Sequence, residues 1–87
     1  WNKKYMESRE VMTEKIDQIF REALDIPESE TISDDICMED LPAWDSLAQM
    51  TIIIQLKKEF HISFLYDEIL SLNTLGKIKE VSQKKLR

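Results

Sequence analysis

Glycine, cysteine and histidine each occur only once in this chain of 87 residues. One glycine, Gly76, cannot build the glycine-rich loops that bind nucleotide phosphates. One cysteine, Cys37, cannot form a disulfide within the chain, and we expect it to pack as a small apolar side chain. One histidine, His61, cannot hold a metal ion without carboxylates at ligand spacing, and the sequence shows no such spacing. We therefore expect no metal site.

Long apolar runs are also missing, since none exceeds the three residues of Ile52 to Ile54. A membrane-spanning helix needs roughly 20 apolar residues, and no secretion signal is recognisable at the N-terminus. We therefore expect a soluble, cytoplasmic protein without a transmembrane segment. The composition, 43% hydrophobic and 33% charged, is that of a globular chain. We expect one domain over residues 7–87, with residues 1–6 as a cloning remnant or a disordered N-terminus.

Charge is unevenly distributed in this chain of net charge −5. Eight acidic residues and no lysine or arginine lie between Asp25 and Asp45, whereas Lys77 to Arg87 contains five basic residues and one acidic residue. The acidic stretch is either a solvated surface or a surface that steers a basic partner protein. Nucleic acid is disfavoured as a partner, because no basic patch with interleaved aromatic residues is found.

The spacing of apolar residues predicts helices and no strand. A first helix is predicted from Glu7 to Leu24, and Pro27 ends it because the residue before proline avoids the helical region. The acidic connection that follows, residues 25–45, is longer than an ordinary turn. We expect four of its apolar side chains to anchor it to the core: Ile32, Ile36, Met38 and Leu41.

Three more helices are predicted in the second half of the chain. The second runs from Asp45 or Ser46 to Phe60, with His61 as a boundary residue. The third is short, and the fourth is capped by Thr74. The predicted fold is all-α, a small four-helix bundle of three longer helices and one short helix, with a long loop between helices 1 and 2. The short helix spans Tyr66 to Leu72, and the fourth is marked by Leu75, Ile78, Val81 and Leu86.

The second helix has two apolar faces at about 100° per residue. One broad arc, predicted to be core, contains Ile52, Ile53, Leu56 and Phe60. A separate stripe, offset from that arc, contains Leu47, Met50 and Ile54. A helix with only a structural role needs one such stripe, so the second stripe suggests a binding surface.

Ser46 stands between Asp45 and Leu47 at the start of this helix. Either Asp45 or Ser46 can cap the helix, and Ser46 with Gln49 fits a capping box. A catalytic nucleophile would need a nearby base. His61, the single histidine, lies about 22 Å away along the helix at 1.5 Å per residue, so we expect no catalytic residue.

The stretch LPAWDSLAQMTIIIQLKKEF, together with the four-helix layout, resembles the acyl carrier protein family. The resemblance implies that Ser46 carries 4′-phosphopantetheine, transferred from coenzyme A by a phosphopantetheinyl transferase. It also implies that Asp45 and Leu47 belong to the attachment motif. The thiol of the arm, and not Cys37, would then hold an acyl group as a thioester. The protein would be a carrier and not an enzyme.

The same resemblance implies that Leu47, Met50 and Ile54 contact partner enzymes. It further implies an interior that can open to enclose an acyl chain, although ordinary core packing also explains these residues. The interior would be lined by Ile16, Phe20, Ile52, Leu56, Phe60 and Ile78.

The chain departs from carriers of primary fatty acid synthesis at two places. Lys57 and Lys58 stand on the second helix where acids are usual, and Pro42-Ala43-Trp44 replaces a glycine before the motif. Different charges favour different partners, so we expect Lys57 and Lys58 to help select partners. We expect a monomeric carrier for a dedicated lipid, secondary-metabolite or polysaccharide pathway, served by its own loading ligase and a downstream transferase or synthase. An aminoacyl or peptidyl carrier is the second reading, and a helical interaction module with unmodified Ser46 the third.

Overall fold

The computed structural model describes the backbone of residues 2–85 and the side chains of residues 10–85. No strand occurs in this part of the chain, although Cys37 and Thr74 form an isolated antiparallel bridge. The predicted all-α fold, with three longer helices, one short helix and a long loop after the first helix, is confirmed. The helices are α1 (Asn2–Leu24), α2 (Ser46–Phe60), α3 (Tyr66–Ser71) and α4 (Leu75–Lys85).

The helix boundaries follow local backbone geometry. Asp25 has a φ of 58°, which ends α1, and His61 has a φ of 55° and caps the C-terminus of α2. The prediction of His61 as a boundary residue is thus confirmed. Thr74 Oγ1 accepts a hydrogen bond from the Lys77 N–H at 3.0 Å and caps α4, as predicted.

Some details of the helix prediction differ from the structure. Helix α1 begins at Asn2, before the predicted start, and α3 ends one residue before the predicted end. A short 3-10 helix, Met38–Asp40, was not predicted, because its three residues are too few to show a periodicity. Leu86, which was assigned to the fourth helix, lies outside the described residues.

The core lies between α1, α2 and α4. Its buried side chains include five of the six that were predicted to line the interior: Ile16, Phe20, Ile52, Leu56 and Ile78. The sixth, Phe60, is only partly buried, because it is the last residue of α2 and lies at the margin of the core. Trp44 was not predicted to be core, yet its side chain is only 2% exposed.

The long loop is anchored to the bundle as predicted, since Ile32, Ile36, Met38 and Leu41 are partly buried against the core. It is also tied to α4 by polar contacts. The Gly76 N–H donates to the Asp34 carbonyl at 2.8 Å, and Lys79 Nζ lies 2.7 Å from the Asp34 carboxylate. A Cβ at Gly76 would lie 3.1 Å from the Asp34 carbonyl oxygen, so the close approach favours glycine. These contacts hold the loop that leads to Ser46.

Cys37 belongs to the same loop and is half-buried. Its thiol donates to the Asp35 carbonyl oxygen at 3.4 Å. The predicted packed thiol is therefore only partly enclosed, and Cys37 itself forms the backbone bridge to Thr74 just before α4. Among the described residues, no helix has the length and hydropathy needed to cross a membrane.

Candidate functional site

Ser46 is the first residue of α2, and Asp45 precedes it as the N-cap. Asp45 Oδ1 accepts a hydrogen bond from the Ala48 N–H at 2.9 Å, and the Asp45 carbonyl accepts one from the Gln49 N–H at 2.9 Å. Of the two predicted caps, Asp45 is thus the one used. The capping box of Ser46 and Gln49 does not form, since the Gln49 side chain bonds elsewhere. Capping therefore leaves the Ser46 hydroxyl available.

The surroundings of Ser46 suit a phosphodiester. Ser46 is exposed to solvent. The N–H groups of Ser46 and Leu47 belong to the first turn of α2, where the backbone has no acceptor within the helix. The helix dipole adds a partial positive charge at the same end, worth about 0.3–1 kcal/mol for a nearby anion. An anionic group on the Ser46 oxygen would therefore lie close to these N–H donors. The capping bond is made by Asp45, so it does not occupy the Ser46 oxygen.

The second apolar stripe of α2 faces solvent, as its offset from the core arc predicts. Leu47 is 78% exposed, and Met50 and Ile54 are each 46% exposed. Spacings of three and four residues place these side chains on one face of the helix. We call this stripe the ridge. Lys57 and Lys58 are exposed in the last turn of the same helix, so the structure places all five predicted partner residues on accessible surface.

A cleft of about 250 Å³ opens beside Ser46, between α2, α3 and the 3-10 helix. Tyr66 and Leu70 of α3 belong to its rim and are 73% and 63% exposed. No partner or cargo role was predicted for these two residues, because so short a helix shows too few turns to reveal its faces. The cleft is lined by Met38, Ser46, Gln49, Met50, Tyr66, Ile69, Leu70 and Leu72.

Gln49 forms a buried polar network at the inner wall of this cleft. Its side-chain oxygen accepts a hydrogen bond from Trp44 Nε1–H at 2.8 Å. Its nitrogen donates to the carbonyl oxygens of Ile69 and Leu72, each at 3.1 Å. Gln49 is only 6% exposed. The sequence did contain a signal for this burial, since Gln49 precedes Ile52 by three residues and so falls on the core arc.

Helix α3 is held to α4 by an ion pair. Lys85 Nζ lies 2.8 Å from Glu68 Oε1, and the same oxygen accepts a hydrogen bond from the Leu65 N–H at 2.7 Å. The hydrogen bond from Lys85, and after it the one from Leu65, lowers the pKa of Glu68 below its usual value. Lys85 also lies 5.3 Å from the centre of the Phe64 ring. The position of α3, and with it one wall of the cleft, thus depends on these contacts.

No group of histidine, cysteine and acidic side chains among the described residues is arranged to hold a metal ion. His61, at the far end of α2 from Ser46, is the residue that caps the helix C-terminus. The features described above that can serve a function are the exposed Ser46 hydroxyl, the apolar ridge of α2 and the apolar cleft beside Ser46.

Known proteins similar to this chain belong to one family. Residues 14–81 match the family described as the phosphopantetheine attachment site. The structure is similar to the solution NMR structure of a holo acyl carrier protein from Geobacter metallireducens, with a TM-score of 0.73 and 29% sequence identity. The similarity covers 86% of this chain and 85% of that chain. No curated protein sequence matches this chain significantly.

Proposed function

The chain belongs to the acyl carrier protein family, which is defined by a phosphopantetheine attachment site, and we propose that Ser46 is this site. The protein is a carrier with covalently attached 4′-phosphopantetheine and is not an enzyme. The observation that supports Ser46 is its position at the start of α2, exposed, with the capping role taken by Asp45. When bound, the arm supplies a thiol that holds an acyl group as a thioester.

Three residues around the attachment point have separate tasks in this proposal. Asp45 fixes the first turn of α2 through its bond to Ala48 and so orients the Ser46 hydroxyl. The N–H groups of Ser46 and Leu47, in the first turn of α2, would donate hydrogen bonds to the phosphodiester. Leu47, 78% exposed, offers an apolar contact to the phosphopantetheinyl transferase next to the modified oxygen.

The ridge of Leu47, Met50 and Ile54 forms the proposed docking surface for partner enzymes. Exposed apolar side chains on one helix face are typical of a protein contact. Lys57 and Lys58 extend this face with positive charge. Glu59 adds little negative charge for a partner, because it pairs with Lys15 of α1 at 2.7 Å. We therefore expect partners with acidic groups opposite the end of α2.

This charge pattern favours a dedicated pathway over general fatty acid synthesis. The proposed partners are a transferase that attaches the arm, a ligase that loads an acyl group, and a downstream transferase or synthase. The apolar lining of the cleft beside Ser46 supports an acyl cargo over an aminoacyl one, whose ammonium group would lose hydration there. The pathway classes that fit are lipid, secondary-metabolite and polysaccharide synthesis.

The attachment site is tested by incubating the protein with coenzyme A and a promiscuous phosphopantetheinyl transferase. Mass spectrometry should show one added phosphopantetheine on the wild type and none on Ser46→Ala. A matched control is Ser63→Ala, which changes another exposed serine and should be modified like the wild type. Modification of a correctly folded Ser46→Ala protein would disprove the site. Loading assays with acyl and aminoacyl ligases would then separate the two cargo classes.

A further inference from the structure

The carboxamide of Gln49 lies between the cleft beside Ser46 and the core of the bundle. We propose that Gln49 determines cargo specificity, closing the route into the core so that only a short apolar acyl group is enclosed. This inference rests on the proposed attachment of the arm to Ser46. It names the class of cargo, which neither the family membership nor the similar structure specifies.

The position of Gln49 is what allows it to act as a barrier. It lines the cleft together with Ile69 and Leu72, whose carbonyl groups it binds. On its inner side it binds Trp44, which is 2% exposed and packs against the fully buried Phe20. A group that enters the cleft from Ser46 therefore reaches the amide before it reaches the core.

Displacing this amide is unfavourable because Gln49 and two of its partners, Trp44 and Leu72, are buried. If an acyl chain moved Gln49 aside, the Trp44 N–H and the carbonyls of Ile69 and Leu72 would lose their hydrogen bonds to it. Buried polar groups that lose a partner bear the full cost of desolvation. An apolar side chain at this position would form no such bonds, so the chain could move past it more easily. The barrier is thus polar as well as steric.

The volume of the cleft sets the limit on cargo size. The cleft of about 250 Å³ is smaller than the roughly 300–1,000 Å³ of pockets that enclose a whole drug-sized ligand, so it has room for only part of a long acyl chain. Met38 and Met50 line the space with flexible thioether side chains that adapt to different shapes. Tyr66 and Leu70 complete the apolar lining. A butanoyl or octanoyl group fits these dimensions, whereas most of a hexadecanoyl group would remain outside.

The test loads butanoyl, octanoyl and hexadecanoyl groups from their coenzyme A thioesters with a promiscuous transferase. Mass spectrometry first verifies each product; failure to load any of them would refute the attachment site itself. Methyl NMR spectra then locate the acyl chain. We expect octanoyl to shift the signals of Met38, Met50 and Leu70, and we expect the core signals of Ile52 and Leu56 to be the same for all three cargoes.

The variant Gln49→Met keeps the approximate size of the side chain and removes its hydrogen bonds. Gln55→Met is the matched control, because Gln55 is an exposed glutamine of the same helix. Hexadecanoyl should shift the Ile52 and Leu56 signals in Gln49→Met but not in Gln55→Met. Core shifts that grow with chain length in the loaded wild type would overturn the proposal. That result needs no variant, so it holds even if Gln49→Met folds poorly.

Discussion

The indole ring of Trp44 meets the ring of Phe20 edge-on, with ring centroids 4.9 Å apart and an interplanar angle of 84°. This contact joins the loop before Ser46 to α1, so the attachment segment is anchored in the core two residues before the serine. Edge-to-face pairs add about 0.5–1.5 kcal/mol beyond the burial of their area.

Trp44→Ala should therefore lower the free energy of unfolding by about 3–5 kcal/mol, the usual cost of removing a large buried aromatic side chain. Trp44→Phe keeps an aromatic ring but loses the bond to Gln49, so it should have a smaller effect. Urea unfolding followed by circular dichroism measures both. A change below the error of the measurement in Trp44→Ala would contradict the burial of this side chain.

Met50 and Ile52 are near neighbours on α2 with opposite exposure, 46% and 1%. Ile52→Ala should cost about 2–5 kcal/mol of stability, because it empties a buried site. Met50→Ala should change stability by no more than about 0.5 kcal/mol but should slow modification or loading. Thermal unfolding and transferase kinetics check the two effects. The reverse ranking of stabilities would mean that the ridge is part of the core.

Lys57 and Lys58 should affect partner choice without affecting the fold. The double change to glutamate should leave the unfolding midpoint nearly unchanged, since exposed charges contribute little to stability. It should slow loading by the cognate ligase and speed recognition by enzymes of a typical fatty acid synthase, mainly through association rates. Loading rates with both sets of enzymes, measured at low and high salt, would show whether the association rates differ in this way. Equal rates for wild type and variant in every condition would leave the lysines without a role in selection.

Glu68 should make stability depend on pH in the acidic range. Its pKa is lowered in the folded protein by the hydrogen bond from Lys85. Its contribution to stability is therefore complete above the unfolded pKa of about 4.3 and is lost as the pH falls through the lower, folded pKa. In Lys85→Met, stability should therefore fall much less between neutral and acidic pH than in the wild type. In Lys84→Met, which changes an exposed lysine, stability should fall as it does in the wild type. Unfolding midpoints measured from neutral to acidic pH compare the three proteins.

Ser82 is fully buried in α4, and its hydroxyl has no hydrogen-bond partner among the described residues. A buried polar group without a partner costs about 1–3 kcal/mol. Ser82→Ala should therefore raise the free energy of unfolding by about 1 kcal/mol, because alanine also favours the helix. A clear loss of stability in urea unfolding would show that the hydroxyl has a partner after all.

The sequence by itself determined those features that depend on neighbours along the chain. The spacing of Ile52 and Leu56 identified the buried face of α2, and the offset of Met50 from them identified its exposed ridge. The apolar run that follows Asp45 and Ser46 predicted where α2 begins, and Thr74 predicted the start of α4. Each of these signals is contained in one helical turn or one helix face, so no knowledge of packing was needed.

Only the tertiary structure decided the roles of Trp44, Gln49 and the residues of α3. In the sequence, Gln49 was read as a partner of Ser46 in a capping box, and Trp44 as a substitute for a glycine. Their partners come from segments far apart in sequence, such as Leu72 for Gln49 and Phe20 for Trp44. A buried amide is stable only where distant chain segments supply its partners. Local periodicity carries no information about those partners, so the inner wall of the cleft could be recognised only after the helices were packed together.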